Sequence, residues 1–125
     1  MNIFLKLNRS FPELLAFVEA LFGQKIAAST SQFGKLSVFS CLDIEFRMFD
    51  NPGTEDDCGL PLSIYNFQID VLRLRSGSNA IAYEPMFRAV ADYLAARISA
   101  HFQCEARLVQ NLQTSLSLYI NGASS

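Results

Sequence analysis

Hydrophobic positions along this chain change their period several times, and the changes mark its elements. From 11 to 22, Leu14, Leu15, Phe17, Val18, Leu21 and Phe22 recur at helical spacing. Ser10 and Glu13 stand at capping-box spacing. Pro12 falls in the first turn, where a missing N–H does no harm, and Gly23 supplies the stop. A weaker strand is expected near 25–32, followed by a turn at Phe33-Gly34. From 36 to 49 the period drops to two. Leu36, Val38, Leu42, Ile44, Phe46 and Met48 lie on one side. Ser37, Asp43, Glu45 and Arg47 lie on the other, which Phe39, Cys41 and Phe49 share. That pattern predicts one long strand.

A further strand is expected over 62–74, with Tyr65, Phe67, Ile69 and Val71 alternating against Asn66, Gln68 and Asp70. Leu72 and Leu74 fall on the Asp70 side, which implies a switch in burial or a bulge. The second helix opens at Glu84-Pro85 and carries one wide apolar stripe: Met86, Phe87, Val90, Ala91, Leu94, Ala95, Ile98 and Phe102. Strands near 104–110 and 115–120 follow, then a ragged "NGASS" tail. The order α-β-β-β-α-β-β predicts an α+β fold: a mostly antiparallel sheet of about five strands, with two helices packed on one face.

Composition narrows the function classes. The 125 residues suit a single domain, 1–125, and half of them are hydrophobic, so the chain is no disordered tail. A net charge of −2 and scattered basic residues argue against nucleic acid as the main ligand, because phosphate binding needs a basic patch. No apolar run approaches the roughly 20 residues of a membrane span, and Ile3-Phe4-Leu5 is too short for a signal-peptide core. Three cysteines, at 41, 58 and 104, match neither a disulfide framework nor a zinc site and suit reduced thiols in the cytosol. A cytoplasmic protein with no membrane partner is the expectation.

Candidate chemistry is sparse. His101 lies three residues before Cys104, a spacing open to a nucleophile pair or to an ordinary helix-terminal histidine beside an unrelated thiol. Asp43 and Glu45 could act as paired carboxylates or simply form a solvated strand face. Asp50, Glu55, Asp56 and Asp57 offer oxygen ligands but lack the spacing of an EF-hand loop, and no glycine-rich phosphate loop occurs. No catalytic set, cofactor or metal is therefore expected. What stands out is charge: six of the twelve acids lie between 43 and 57, offset only by Arg47. That stretch carries −5, leaving the rest of the chain at +3. Acids gathered at one end of a hairpin would steer a basic partner, or would keep a loop soluble.

The stretch "DNPGTEDDCGLPLSIYNFQIDVLRL" resembles a pattern in small bacterial immunity proteins of contact-dependent growth inhibition and related polymorphic toxin systems. The matching residues are Glu55-Asp56-Asp57, Gly59, Leu60-Pro61-Leu62-Ser63, Tyr65, Phe67 and Ile69-Asp70. The segment "CEARLVQNLQ" at 104–113 also looks like the family's C-terminal part. The resemblance implies a non-enzymatic inhibitor of a cognate toxin domain, a basic protein and by charge logic a nuclease, whose phosphate-binding cleft an acidic surface fills. The implied partner-binding residues are Asp43, Glu45, Asp50, Glu55, Asp56, Asp57, Tyr65 and Asp70. Tyr65 serves as an anchor if it faces outward and as core if it shares the face of Phe67. Asp70 binds a partner or is a structural acid paired with Arg73 or a backbone donor. The alternatives are an adaptor or homo-oligomeric subunit, a homodimer through a sheet edge or the first helix, and more remotely a small hydrolase.

Overall fold

The computed structural model describes residues 1–31, 34–41, 44–51, 60–73, 80–111 and 114–124; for 27–31, 34–41, 73 and 80–84 the backbone path alone is described. The fold is α+β, as expected. Its strands are β1 (Asn2–Lys6), β2 (Ala27–Ser31), β3 (Gly34–Cys41), β4 (Ile44–Asp50), β5 (Phe67–Arg73), β6 (Glu105–Gln110), β7 (Thr114–Ile120) and β8 (Ala123–Ser124). The helices are α1 (Phe11–Phe22) and α2 (Ala80–Phe102). All strand pairs are antiparallel, in the order β2-β3-β4-β5-β1-β6-β7-β8.

Both helices cover one face of that sheet. Leu14 and Val18 of α1 and Phe87, Ala91, Leu94, Ala95 and Ile98 of α2 share a core with Ile3, Leu5, Phe46, Met48, Ile69 and Leu108. Burying side chains of this size removes apolar surface worth about 1.5–3 kcal/mol each. Phe4 points the other way. It packs with Leu62, Tyr65 and Val109 in a small second cluster on the face without a helix.

Local chemistry explains most boundaries. Ser10 Oγ accepts from the Glu13 amide at 3.4 Å, opening α1, and Gly23 closes it at φ +64°. The Gln24 amide returns to the Glu19 carbonyl at 3.1 Å. Helix α2 ends on Gln103 at φ +53°, with the Cys104 amide on the Ser99 carbonyl at 3.1 Å. Buried Ser99 then donates to the Cys104 carbonyl at 2.6 Å and accepts from the Gly122 amide at 2.9 Å, tying helix, β6 and the last turn together.

Four expectations need correction. Residues 2–6 form a strand, and it is central, between β5 and β6. The stretch 36–49 is two strands rather than one, since Cys41 pairs with Ile44 across a chain reversal. Helix α2 starts at Ala80, so Pro85 lies inside it; the position thereby lacks an N–H for the Ile81 carbonyl instead of marking the first turn. The strand expected from 62 begins at Phe67, after a 3-10 turn over Leu62–Ile64, and its pairing with β4 runs to Arg73 without a bulge. The bulge occurs instead in β7: Leu108 pairs with Ser117 and Val109 with Ser115, leaving Leu116 over. Among the described residues, no helix is long and apolar enough to cross a membrane.

Candidate interaction face

The face of the sheet that carries no helix holds the polar side chains. In β4 and β5, burial of Ile44, Phe46, Met48, Ile69 and Val71 on the helix side puts Glu45, Arg47, Gln68 and Asp70 on the other. Backbone register sets Arg47 opposite Asp70 and Asp70 opposite Asn2. One oxygen of Asp70 accepts from Asn2 Nδ2 at 2.6 Å and from Gln68 Nε2 at 2.7 Å. Gln68 is itself buried. Glu45 accepts from Arg47 Nε at 2.6 Å, within its own strand.

Farther across the same face lies a network centred on Tyr65. Its hydroxyl donates to Glu105 Oε2 at 2.5 Å and accepts from Arg107 Nε at 2.9 Å. Arg107 Nη1 reaches Ser115 Oγ on β7 at 2.9 Å. The Tyr65 ring rests on Phe4, with centroids 5.9 Å apart. Two asparagines hold the 3-10 turn against this face. Asn51 donates to the carbonyls of Leu62 and Tyr65 at 3.0 and 2.7 Å, and Asn66 exchanges two hydrogen bonds with the Leu7 backbone. A cleft of about 340 Å³ lies alongside, lined by Lys6, Ile64, Asn66, Glu105 and Asn121 among others.

The named candidates therefore fare differently. Asp43, Glu55, Asp56 and Asp57 lie outside the described residues. Glu45 and Asp50 sit near opposite ends of β4, five residues and about 17 Å apart along a strand rising about 3.3 Å per residue. They do not share one hairpin tip, which corrects that expectation. Asp50 is exposed, whereas Glu45 is neutralised by Arg47. Tyr65 is 2% exposed and cannot serve as an outward anchor; nor does it join Phe67 in the main core. Tyr65 caps the 3-10 turn and lies ahead of β5, outside the strand, so the period-two relation between 65 and 67 fails. Asp70 accepts from the side-chain amides of Asn2 and Gln68; the side chain of Arg73 lies outside the described set.

His101 and Cys104 are not hydrogen-bonded to each other among the described residues. His101 stacks on Phe17 at 4.2 Å, and the buried Cys104 thiol donates to the Ile98 carbonyl at 3.9 Å. Burial, with a smaller contribution from the Glu105 charge, pushes that thiol up to about 11, away from the thiolate a nucleophile needs. The side chains of Cys41 and Cys58 lie outside the described set. What sequence reasoning missed is the Tyr65–Glu105–Arg107 network and the paired roles of Asn51 and Asn66. Tyr65 lies forty and forty-two positions from Glu105 and Arg107, and the two asparagines lie eleven to fifty-nine positions from the groups they bind, so they leave no local pattern.

Burial first, then the bond to Glu105, pushes the Tyr65 phenol from 10.0 up to about 12. The folded state thus holds this proton more tightly than the unfolded chain does. Its contribution is complete below pH 10 and is lost as pH rises from there toward 12. Tyr65→Phe should lower stability at pH 7 by roughly 1–3 kcal/mol, since Glu105 and Arg107 lose a buried partner. It should also remove one part of the decline above pH 10, leaving the parts due to Cys104 and Tyr119, whose protons are likewise held by burial. Urea unfolding between pH 7 and 11.5 measures both effects.

No protein-family model matches the chain, and comparison with curated proteins and with solved structures finds no match either.

Proposed function

We propose that the protein is an immunity-type inhibitor that binds a basic toxin domain, a nuclease by the logic of charge, without doing chemistry of its own. The observation that carries this reading is the helix-free sheet face. There Glu45 and Asp70 stand on neighbouring strands, each already held by Arg47 or by Asn2 and Gln68. Side chains fixed before a partner arrives lose little entropy on docking. Among the described side chains, charge on this face is balanced: Glu45, Asp70 and Glu105 against Lys6, Arg47 and Arg107. Its contribution is geometry and specificity. Net negative charge comes instead from Asp50, exposed at the end of β4, and from Glu55, Asp56 and Asp57, which follow within seven residues in the sequence. Steering and seating are thus divided between two sets of residues.

Co-expression with a toxin-like domain encoded beside its gene tests the reading. The chain should co-purify with that domain and restore growth. Reversal of Glu55, Asp56 and Asp57 to Lys should slow association by ~10-fold or more at low salt and little at high salt. Asp70→Ala should act mainly on dissociation. A natively folded chain that neither co-purifies nor protects removes the assignment. Unchanged kinetics in the triple reversal remove the acidic segment from it.

A further inference from the structure

Strand β7 is an edge strand over most of its length, and its sequence is the kind that edges ordinarily avoid. Thr114–Ile120 reads TSLSLYI, with no charge, proline or glycine. Every residue in it keeps some exposure, and Ile120 is 43% exposed. An uncharged strand can pair antiparallel with its own copy about a two-fold axis without placing like charges opposite one another, so such an edge invites self-association.

Three features stand against that pairing. The turn Asn121-Gly122, at φ +53° and +87°, is a two-residue hairpin turn that sends β8 back along the edge. Ser124 and Ala123 there occupy Tyr119 and Ile120. The bulge leaves Leu116 without a cross-strand partner in β6, which twists the strand at its middle. The Leu116 carbonyl is taken by Arg88 of α2, whose Nη2 lies 3.3 Å away. Arg88 is itself held by Asp92, which also accepts from the Tyr119 hydroxyl at 2.9 Å, so the guanidinium is anchored over β7.

We infer that β8, the bulge at Leu116 and Arg88 together guard the uncharged edge of β7 against pairing with a second copy of the chain. The guard is local and owes nothing to the proposed function. It runs against the homodimer alternative in its β7-edge form.

Light scattering over a concentration series tests this on the full chain. The native mass should not change with concentration through this edge. Arg88→Ala combined with Ala123→Pro, which releases the carbonyl and detaches β8, should give a mass that climbs with concentration. Adding Thr114→Lys should return it to the native value, since full-length antiparallel pairing would set the new charge against the apolar Ile120 of the copy. Arg88→Ala alone leaves the last turn intact and should show a weaker rise, so a failure of the double variant to fold does not end the test. A flat mass in both variants overturns the inference. So does native self-association that Thr114→Lys abolishes, because the edge would then be an interface rather than a guarded strand.

Discussion

Leu5→Asp should leave no folded protein at 25 °C, and Leu5→Ala should cost about 3 kcal/mol in urea unfolding. Leu5 is fully buried in the strand at the middle of the sheet, opposite Phe67 on β5 and Ala106 on β6. A carboxylate there has no partner; whether it stays charged or takes up a proton, the penalty is several kcal/mol on top of the lost packing. A domain of this size has only about 5–15 kcal/mol in all. Position also magnifies the loss. β5 and β6 each pair with β1 and not with one another, so disorder in residues 2–6 separates β2–β5 from β6–β8. Thr114→Ala, on an exposed edge position, should move stability by no more than about 0.5 kcal/mol. If Leu5→Asp unfolds cooperatively at a midpoint near native, β1 does not hold the two halves together.

That central strand is also where the sequence was least legible. A strand buried on both faces shows no alternation. Ile3-Phe4-Leu5, with Phe4 on one face and its neighbours on the other, reads only as a short apolar run. The helices were legible because they bury a single stripe, and β6 and β7 because turn residues separate them from their neighbours. The β3–β4 reversal hid for a different reason. Its connection contains no glycine, proline or Asn-Gly, and apolar residues at even positions continue across it. The opposite failure occurred at Asn121-Gly122: the strongest short-range hairpin signal was present and passed for a frayed tail. The polar face was half legible. Alternation placed Glu45, Arg47, Gln68 and Asp70 on one side correctly. Asn2, the partner of Asp70, and Glu105, the partner of Tyr65, come however from strands brought there only by long-range pairing.

Gly122→Ala should destabilise by about 3 kcal/mol, lowering Tm by roughly 10 °C, whereas Gly23→Ala should cost only about 1 kcal/mol. Both glycines have positive φ, +64° at Gly23 and +87° at Gly122, so an alanine at either meets the backbone penalty of that region. Space separates them. Around a Cβ at Gly23 nothing lies within 4 Å. A Cβ at Gly122 would sit 2.8 Å from Ala100 Cβ and 3.0 Å from Ala100 Cα, so the backbone of α2 itself blocks it. Moving the turn outward by the needed fraction of an ångström would stretch the 2.9 Å bond from the Gly122 amide to buried Ser99 Oγ. The same serine also serves the Cys104 carbonyl, so the disturbance reaches the C-terminus of α2 and the start of β6. Ala100→Gly in the Gly122→Ala background should recover part of the loss by removing the closer contact while leaving the one to Cα. Equal losses at the two glycines would mean that the turn does not press on the helix, and the account of Ser99 as the joint between α2, β6 and the last hairpin would fail with it.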